Sequence, residues 1–393
     1  MNHHGIAALH RRADRVLPRI FRDYVNGGSH SERTVRANRR AFDRWAVVPK
    51  CLVDVSECDL SGSFLGATHR LPFMFAPLGF GGLMYPDGEI RAARVAAASG
   101  LPMAVSTFAI QSLETLSRVP GVTLAAQIYV FRDRGITRDM LRRAESCGIR
   151  NIILTVDTPI TPLRLRDARN GFRNLTRPSF RHVLSMAAHP RWTAGMLRNG
   201  MPKIGNLAPY GMGGNLMEQA RNAASQIDPT LTWKDLDWLR SVWPGQLAVK
   251  GIMDAGDALA CQKAGVQTVI VSNHGGRQMD PAPSSLSVLP DIVEALKGET
   301  DVILDGGVRW GGDVVTALAL GAKAVGIGRP WAWALAAGGE RGVRSLVDGL
   351  GGEIRDVLRL GGMVDLASLR AQGAAALRPV SCRRRRSAPL SGL

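Results

Sequence analysis

Short apolar runs recur along the chain, most of them separated by stretches of helical periodicity. They are residues 73–77 (FMFAP), 102–106 (PMAVS), 123–127 (TLAAQ), 151–157 (NIILTVD), 246–250 (QLAVK), 268–272 (TVIVS), 302–306 (VILDG) and 324–328 (AVGIG). Apolar runs this short, bounded by turn residues, read as buried strands. Eight β-then-α units predict an α/β fold of the (β/α)8 TIM-barrel type, with parallel strands and a site at their C-terminal ends. A doubly wound two-domain protein is the alternative.

The strand ends support the barrel independently of the count. In chain order they offer Ser106, then Gln127 with Tyr129, Thr155 with Asp157, Lys250, Ser272 with His274, Asp305, and Gly328 with Arg329. Polar groups gathered on one rim are what a pocket requires. The spacing breaks once, between Asp157 and Gln246, where the chain is far longer than one helix needs. This predicts an insertion on the site face after strand four, at about residues 168–230. From Ala168 to Met217 it carries Arg169, Arg173, Arg177, Arg181, Arg191, Arg198 and Lys203 and no Asp or Glu, interspersed with Phe180, Leu184, Met186, Trp192, Met196 and Leu197. A lid over the pocket and a basic amphipathic surface for anionic membrane are both open readings.

The length of 393 residues suits one large barrel with an insertion, and 45% hydrophobic residues can fill its core. We assign residues 1–380 to a single barrel domain and 381–393 to a disordered basic tail containing Arg383–Arg386. The net charge of +17 is otherwise spread along the chain. No zinc-finger, helix-turn-helix or RNA-recognition signature accompanies it, so nucleic acid is not the expected partner. Five unevenly spaced cysteines without metal-ligand spacing favour a reducing setting, and no metal is expected. The N-terminal stretch lacks the apolar core of a signal peptide, and no run approaches the roughly 18 apolar residues of a span. The expected location is the cytoplasm, or the inner face of the cell membrane as a peripheral protein.

The stretch VSNHGGRQ (residues 271–278) releases a serine, a histidine, two glycines and an arginine from a buried strand. That combination suits an anionic substrate that must lose a proton. DGGVR (305–309) and GIGRP (326–330) follow strands seven and eight, the usual phosphate-binding loops of a barrel. Lys250 ends strand five and can stabilise negative charge on a cofactor ring; a Schiff-base lysine is the competing role. Asp157 can hold the His274 imidazole upright and favour its protonated form. Arg277 and Arg164 can grip a carboxylate through paired N–H donors, and Tyr24 and Tyr129 can add hydroxyls.

Together these residues resemble the FMN-dependent L-2-hydroxy-acid dehydrogenase/oxidase family, over roughly residues 18–366. The most specific element is SNHGGRQ (272–278); DYVNGG (23–28), QIY (127–129), TVDTP (155–159), LRLRD (163–167), VKG (249–251), DGGVR and GIGRP complete it. The resemblance implies oxidation of a lactate- or mandelate-like L-2-hydroxy acid to the 2-oxo acid with FMN as cofactor. It implies His274 as base, with Asp157 and Tyr129 beside it, and Tyr24, Tyr129, Arg164 and Arg277 as substrate ligands. FMN is then expected at Ala76, Pro77, Leu78, Ser106, Gln127, Thr155, Lys250, Ser272, Asp305, Gly306, Gly307, Val308, Arg309, Gly328 and Arg329. Electrons would pass to an external quinone or other acceptor, and a homo-oligomer is expected. The long basic insertion and residues 228–244 look most like the membrane-associated dehydrogenases of the family. A soluble oxygen-using oxidase is the alternative. LRLRDARNGF also resembles the flavin enzymes of mycofactocin maturation, while DYVNGG with Tyr24 favours the small-acid branch.

Overall fold

The computed structural model describes residues 5–172, 179–198, 200 and 202–380. All eight apolar runs form strands: β1 (Phe73–Phe75), β2 (Pro102–Val105), β3 (Thr123–Ile128), β4 (Asn151–Thr155), β5 (Gln246–Ile252), β6 (Thr268–Val271), β7 (Asp301–Asp305) and β8 (Ala324–Ile327). Every neighbouring pair is parallel, and β8 pairs with β1, so the sheet closes into a barrel in chain order. Closure removes sheet edges and leaves two unlike ends.

Strand periodicity of two sends alternate residues to the barrel axis. One inward layer consists of Met74, Ala104, Ala125, Ile153, Ala248, Ile270, Ile303 and Ala324, one residue from each strand. The hairpin of Gly62–Phe64 with Ala67–His69 adds Phe64 and Leu65 to this cluster and so plugs the N-terminal end. Its turn glycine, Gly66, has φ +72° and abuts the side chain of Gln246 at the start of β5. The outward residues, such as Phe73, Phe75, Leu124, Ile152, Leu154 and Val249, join the larger core beneath the helices.

Two residues further along each strand lies the next inward position: Ala76, Ser106, Gln127, Thr155, Lys250, Ser272, Asp305 and Gly326. This layer forms the floor of the C-terminal mouth. Pairing in register sets Thr155 beside Lys250. A bulge follows between Lys250 and Ile252, where Gly251 adopts φ +111°.

The mouth is walled by elements outside the eightfold repeat. The helix Arg19–Asn26 brings Tyr24, and the chain between β4 and β5 brings Asp167 on helix Leu165–Asn170 and Met217 on helix Leu216–Gln226; its helices Phe180–Ala187, Pro190–Arg198 and Trp233–Val242 do not line the cavity. The middle of the insertion is docked rather than free. Trp192 is buried, and its indole donates to the Leu83 carbonyl at 2.9 Å; Asn206, also buried, donates to the Ser106 carbonyl at 3.0 Å. Ile204 and Leu207 pack fully into the core. A lid that swings as one unit does not describe this segment. Arg173, Arg177 and the basic tail lie outside the described residues. Among the described residues no helix is long and apolar enough to cross a membrane.

Candidate active site

A cavity of ≈ 570 Å³ opens at the C-terminal mouth. Its floor is the polar layer. Lys250 is buried, donates to Ser272 Oγ at 2.9 Å and lies 3.5 Å from Asp305 Oδ2. Burial disfavours its charge, but Asp305 and Asp157 outweigh that and raise its pKa, so the ammonium persists. Gln127 accepts from Ser106 Oγ at 3.1 Å and from the Thr107 amide at 3.3 Å. Its Nε2 and the Thr155 hydroxyl are buried without a partner among the described residues. Buried donors of this kind are costly unless something arrives to meet them.

His274 stands above the floor at φ +57°, a left-handed conformation that only a few non-glycine residues adopt. Its amide donates to Ser272 Oγ at 3.1 Å, which fixes the turn. Nδ1 lies 2.9 Å from Asp157 Oδ1, leaving Nε2 for the cavity. Burial lowers the imidazole pKa, Asp157 opposes, and Lys250 and Arg164 add to the lowering, so the net direction is below the ordinary 6.5. This differs from the expectation that the carboxylate would favour the protonated ring; burial and two cations win. Burial pushes the Asp157 carboxyl up, yet His274 and Lys250 together hold it below the ordinary range. The dyad is therefore a neutral imidazole oriented by a carboxylate, the form a general base needs. Gln278 supports it, donating to the carbonyls of Asp157 at 2.8 Å and Ile160 at 3.1 Å.

Arg277 lies over the Tyr24 ring at 4.8 Å, and one of its terminal nitrogens donates to the carbonyls of Tyr24 at 2.6 Å and Gly27 at 2.9 Å. Its side chain also lines the cavity. Arg164 reaches the Arg277 carbonyl at 3.3 Å, so both guanidiniums flank the same space. The Tyr24 hydroxyl donates to the Gly79 carbonyl at 3.0 Å. Burial raises the Tyr24 and Tyr129 hydroxyl pKa values, which keeps both as donors.

The turns after β7 and β8 line the same cavity. Gly306 and Gly307 take φ +96° and +92°, and a Cβ on Gly307 would strike the Asn38 carbonyl. A Cβ on Gly328 would meet nothing, so the backbone there is open to a ligand. Arg329 is anchored by the carbonyls of Val25, Gly275 and Gly27 at 2.8–2.9 Å. Burial and the neighbouring Arg277 and Arg309 drive its pKa down. Arg309 stacks on Trp333 at 4.7 Å; burial and repulsion from Arg39 push it down to about 9. Crowded, desolvated guanidiniums require an anion. The phosphate of FMN would meet that need, and a polar ring edge would meet the Gln127 and Thr155 atoms that lack a partner among the described residues. The residues present fit the cofactor.

Of the residues singled out in the sequence, Ala76, Pro77, Leu78, Tyr129, Val308 and the groups above all gather at this mouth. Gln127, Thr155, Ser272 and Asp157 lie directly beneath or behind the cavity lining. The sequence reading missed Gly79, Phe80, Thr158, Phe172 and the face of helix Leu216–Gln226 that presents Met217, Ala220, Arg221 and Ala224. It also missed Asn38, which exchanges two 2.8 Å amide hydrogen bonds with Asn273 and so ties the N-terminal helix Arg33–Arg40 to the His274 turn. Apart from Thr158, which lies inside TVDTP, none of these carries a local motif, although the 3,1,3 spacing of the insertion helix is visible once its partner is known. Among the described residues no group of His, Cys, Asp or Glu has a metal-binding arrangement.

Residues 13–375 match the FMN-dependent dehydrogenase family. The chain is 40% identical over 359 residues to an L-lactate dehydrogenase of Caulobacter vibrioides, covering 91% of this chain and 94% of that protein. It is 38% identical over 359 residues to an L-lactate dehydrogenase of Xanthomonas campestris pv. campestris, covering 91% and 93%. Among solved structures it superposes on the monotopic membrane protein (S)-mandelate dehydrogenase with TM-score 0.92 and 36% identity, over 97% of this chain and all of that one. Mandelate oxidase superposes with TM-score 0.81 and 35% identity, over 96% of this chain and 98% of that one.

Proposed function

The chain belongs to the FMN-dependent dehydrogenase family, and from that premise we propose how its own residues oxidise a 2-hydroxy acid. The chain is an FMN-dependent oxidoreductase acting on 2-hydroxy acids. The observation that carries the assignment of roles is the partly buried His274–Asp157 pair, 2.9 Å apart, facing a cavity with Arg277 and Arg164 on its wall.

Arg277 and Arg164 bind the substrate carboxylate, with the Tyr24 hydroxyl beside them. Anchoring at the carboxylate presents the 2-hydroxyl to His274 Nε2 and to Tyr129. The neutral imidazole accepts a proton, and Asp157 stabilises the imidazolium that forms. Ser106, Gln127, Thr155, Lys250 and Ser272 would hold the ring of FMN, and the turns 305–309 and 328–329 its phosphate. When bound, FMN supplies the two-electron acceptor. Lys250 contributes a fixed positive charge where negative charge accumulates during reaction.

We further propose that the electrons go to a quinone or other external acceptor at a membrane surface. Phe180, Val183, Leu184 and Leu197 are 81%, 53%, 60% and 71% exposed, with Arg181, Arg191 and Arg198 on the same two helices. Apolar side chains in a cationic setting support shallow seating in anionic lipid. That a superposing relative is called a monotopic membrane protein supports the same reading. A soluble oxidase is the competing case, and sedimentation with anionic vesicles at low and high salt separates the two.

The deciding experiment is anaerobic mixing of the FMN-loaded protein with a panel of L-2-hydroxy acids. Bleaching of the flavin absorbance by lactate, mandelate or a close analogue is the expected result. No bleaching by any member of the panel would sink the reading.

A further inference from the structure

Glu89 is 1% exposed, has no ion-pair partner among the described residues and does not line the cavity. Such a group is costly to keep in a protein interior. It sits in the first turn of the helix Gly88–Ser99, between the two loops that follow β1 and β2. Its Oε2 accepts from the Gln111 amide at 2.7 Å, and its Oε1 from the Ile110 amide at 3.2 Å. The backbone of the first loop lies against it: a Cβ on Gly81 would come within 3.1 Å of Oε1, and the Gly81 and Gly82 amides favour its charged form. One carboxylate thus clasps two loops. In its ionised form the carboxylate only accepts, so it can meet amide donors from both loops.

The clasp is tight on both sides. A Cβ on Gly82 would lie 2.7 Å from Ile110 Cβ, so the loops touch where they are clasped. The Phe80 amide donates to the Phe108 carbonyl at 2.9 Å, a direct rung between them. Phe80 and Phe108, carried by these loops, have ring centroids 6.1 Å apart. Phe80 in turn meets Tyr24 at 5.5 Å, and Phe108 meets Tyr129 at 5.7 Å. The four rings form one continuous wall of the cavity, joining two of the polar groups assigned to substrate.

We infer that Glu89 is a positioning residue that sets the spacing of Phe80 and Phe108, and through it the discrimination between bulky and small substrate side chains. This rests on the 2-hydroxy-acid reading above. Burial pushes the Glu89 carboxyl up to about 7, with the backbone amides opposing. Glu89→Gln keeps the shape but turns an N–H pair toward amide donors. Glu89→Asp keeps the charge but is one methylene too short to hold both loops.

The test measures anaerobic kcat/KM for (S)-mandelate and (S)-lactate in the wild type and both variants, with FMN content and thermal midpoint alongside. Both variants are expected to retain FMN and to change the mandelate-to-lactate ratio by about tenfold or more, mainly through KM, since small displacements of a fitted wall are felt strongly. A ratio within about twofold of wild type in flavin-loaded variants overturns the inference. A wild type that neither acid reduces overturns the 2-hydroxy-acid reading instead. If the variants do not fold, amide hydrogen exchange on the wild-type holoenzyme decides. Gly81, Gly82, Ile110 and Gln111 are expected to be protected together and to exchange as one unit; free exchange of either pair removes the clasp and the inference with it.

Discussion

The two inward layers of the barrel are two residues apart on the same eight strands, yet they do opposite work. The lower layer is Met, Ala and Ile, sealed by Phe64 and Leu65, and it contains no polar side chain. The upper layer holds Ser106, Gln127, Thr155, Lys250, Ser272 and Asp305, with a lysine–carboxylate pair and two unpartnered polar atoms. Packing density and desolvation act equally on both. The lower layer satisfies them internally, whereas the upper one leaves charge and hydrogen-bonding capacity for a ligand. Stability is concentrated in one layer and chemistry in the other.

The contrast can be broken most severely from above. His274→Gln is expected to leave FMN bound and to reduce the rate of flavin reduction by about 10²–10⁴-fold, the usual worth of a general base. Stopped-flow reduction at saturating substrate checks this, and a rate within about threefold of wild type would remove His274 from that role. The mirror experiment lies one layer down. Ile153→Ala leaves a cavity in the closed end and should cost about 2–5 kcal/mol of stability by denaturant titration. Flavin reduction by the protein that remains folded should change little; a large loss of rate would show the layers to be coupled.

Arg277→Lys replaces a planar fork, already tied to the Tyr24 and Gly27 carbonyls, with a flexible point charge. Substrate affinity and reduction rate are both expected to fall, by roughly 10–100-fold in kcat/KM. An unchanged rate at saturation would assign Arg277 to binding alone. Thr155→Val removes a hydroxyl with no partner among the described residues. Protein stability should hold or rise slightly while FMN affinity weakens by about 1 kcal/mol, measured by flavin fluorescence. Equal affinity would mean that the hydroxyl does not meet the cofactor.

The smallest effect is on pH. A base must be unprotonated, and burial lowers the His274 pKa below 6.5. The acid limb of kcat/KM should therefore have its midpoint below that value, with activity persisting at more acidic pH than an exposed histidine would allow. The unfolded chain binds this proton more readily, so the histidine also subtracts stability as pH falls through the ordinary 6.5. A midpoint clearly above 6.5 would reverse the balance between burial and Asp157.

Much of this was legible in the chain because a barrel repeats its rules. Eight short apolar runs bounded by turn residues identified the strands, and whatever followed each run had to stand at the mouth. VSNHGGRQ, DGGVR and GIGRP are local, so their residues appear together in the sequence as they do in the site. What these runs could not show is anything that depends on partners distant in sequence. Asn38 meets Asn273, Trp192 meets Leu83, and Glu89 meets Ile110 and Gln111 only because separate loops converge above the barrel. The direction of the His274 shift was likewise out of reach, since it weighs burial against Asp157, Lys250 and Arg164, a sum over distances. The sequence by itself determined which residues face the axis, because side-chain parity along a strand is a local property. Only the tertiary structure decided which polar groups are satisfied, how far each charge is removed from water, and which loops hold the aromatic wall, because those depend on through-space neighbours.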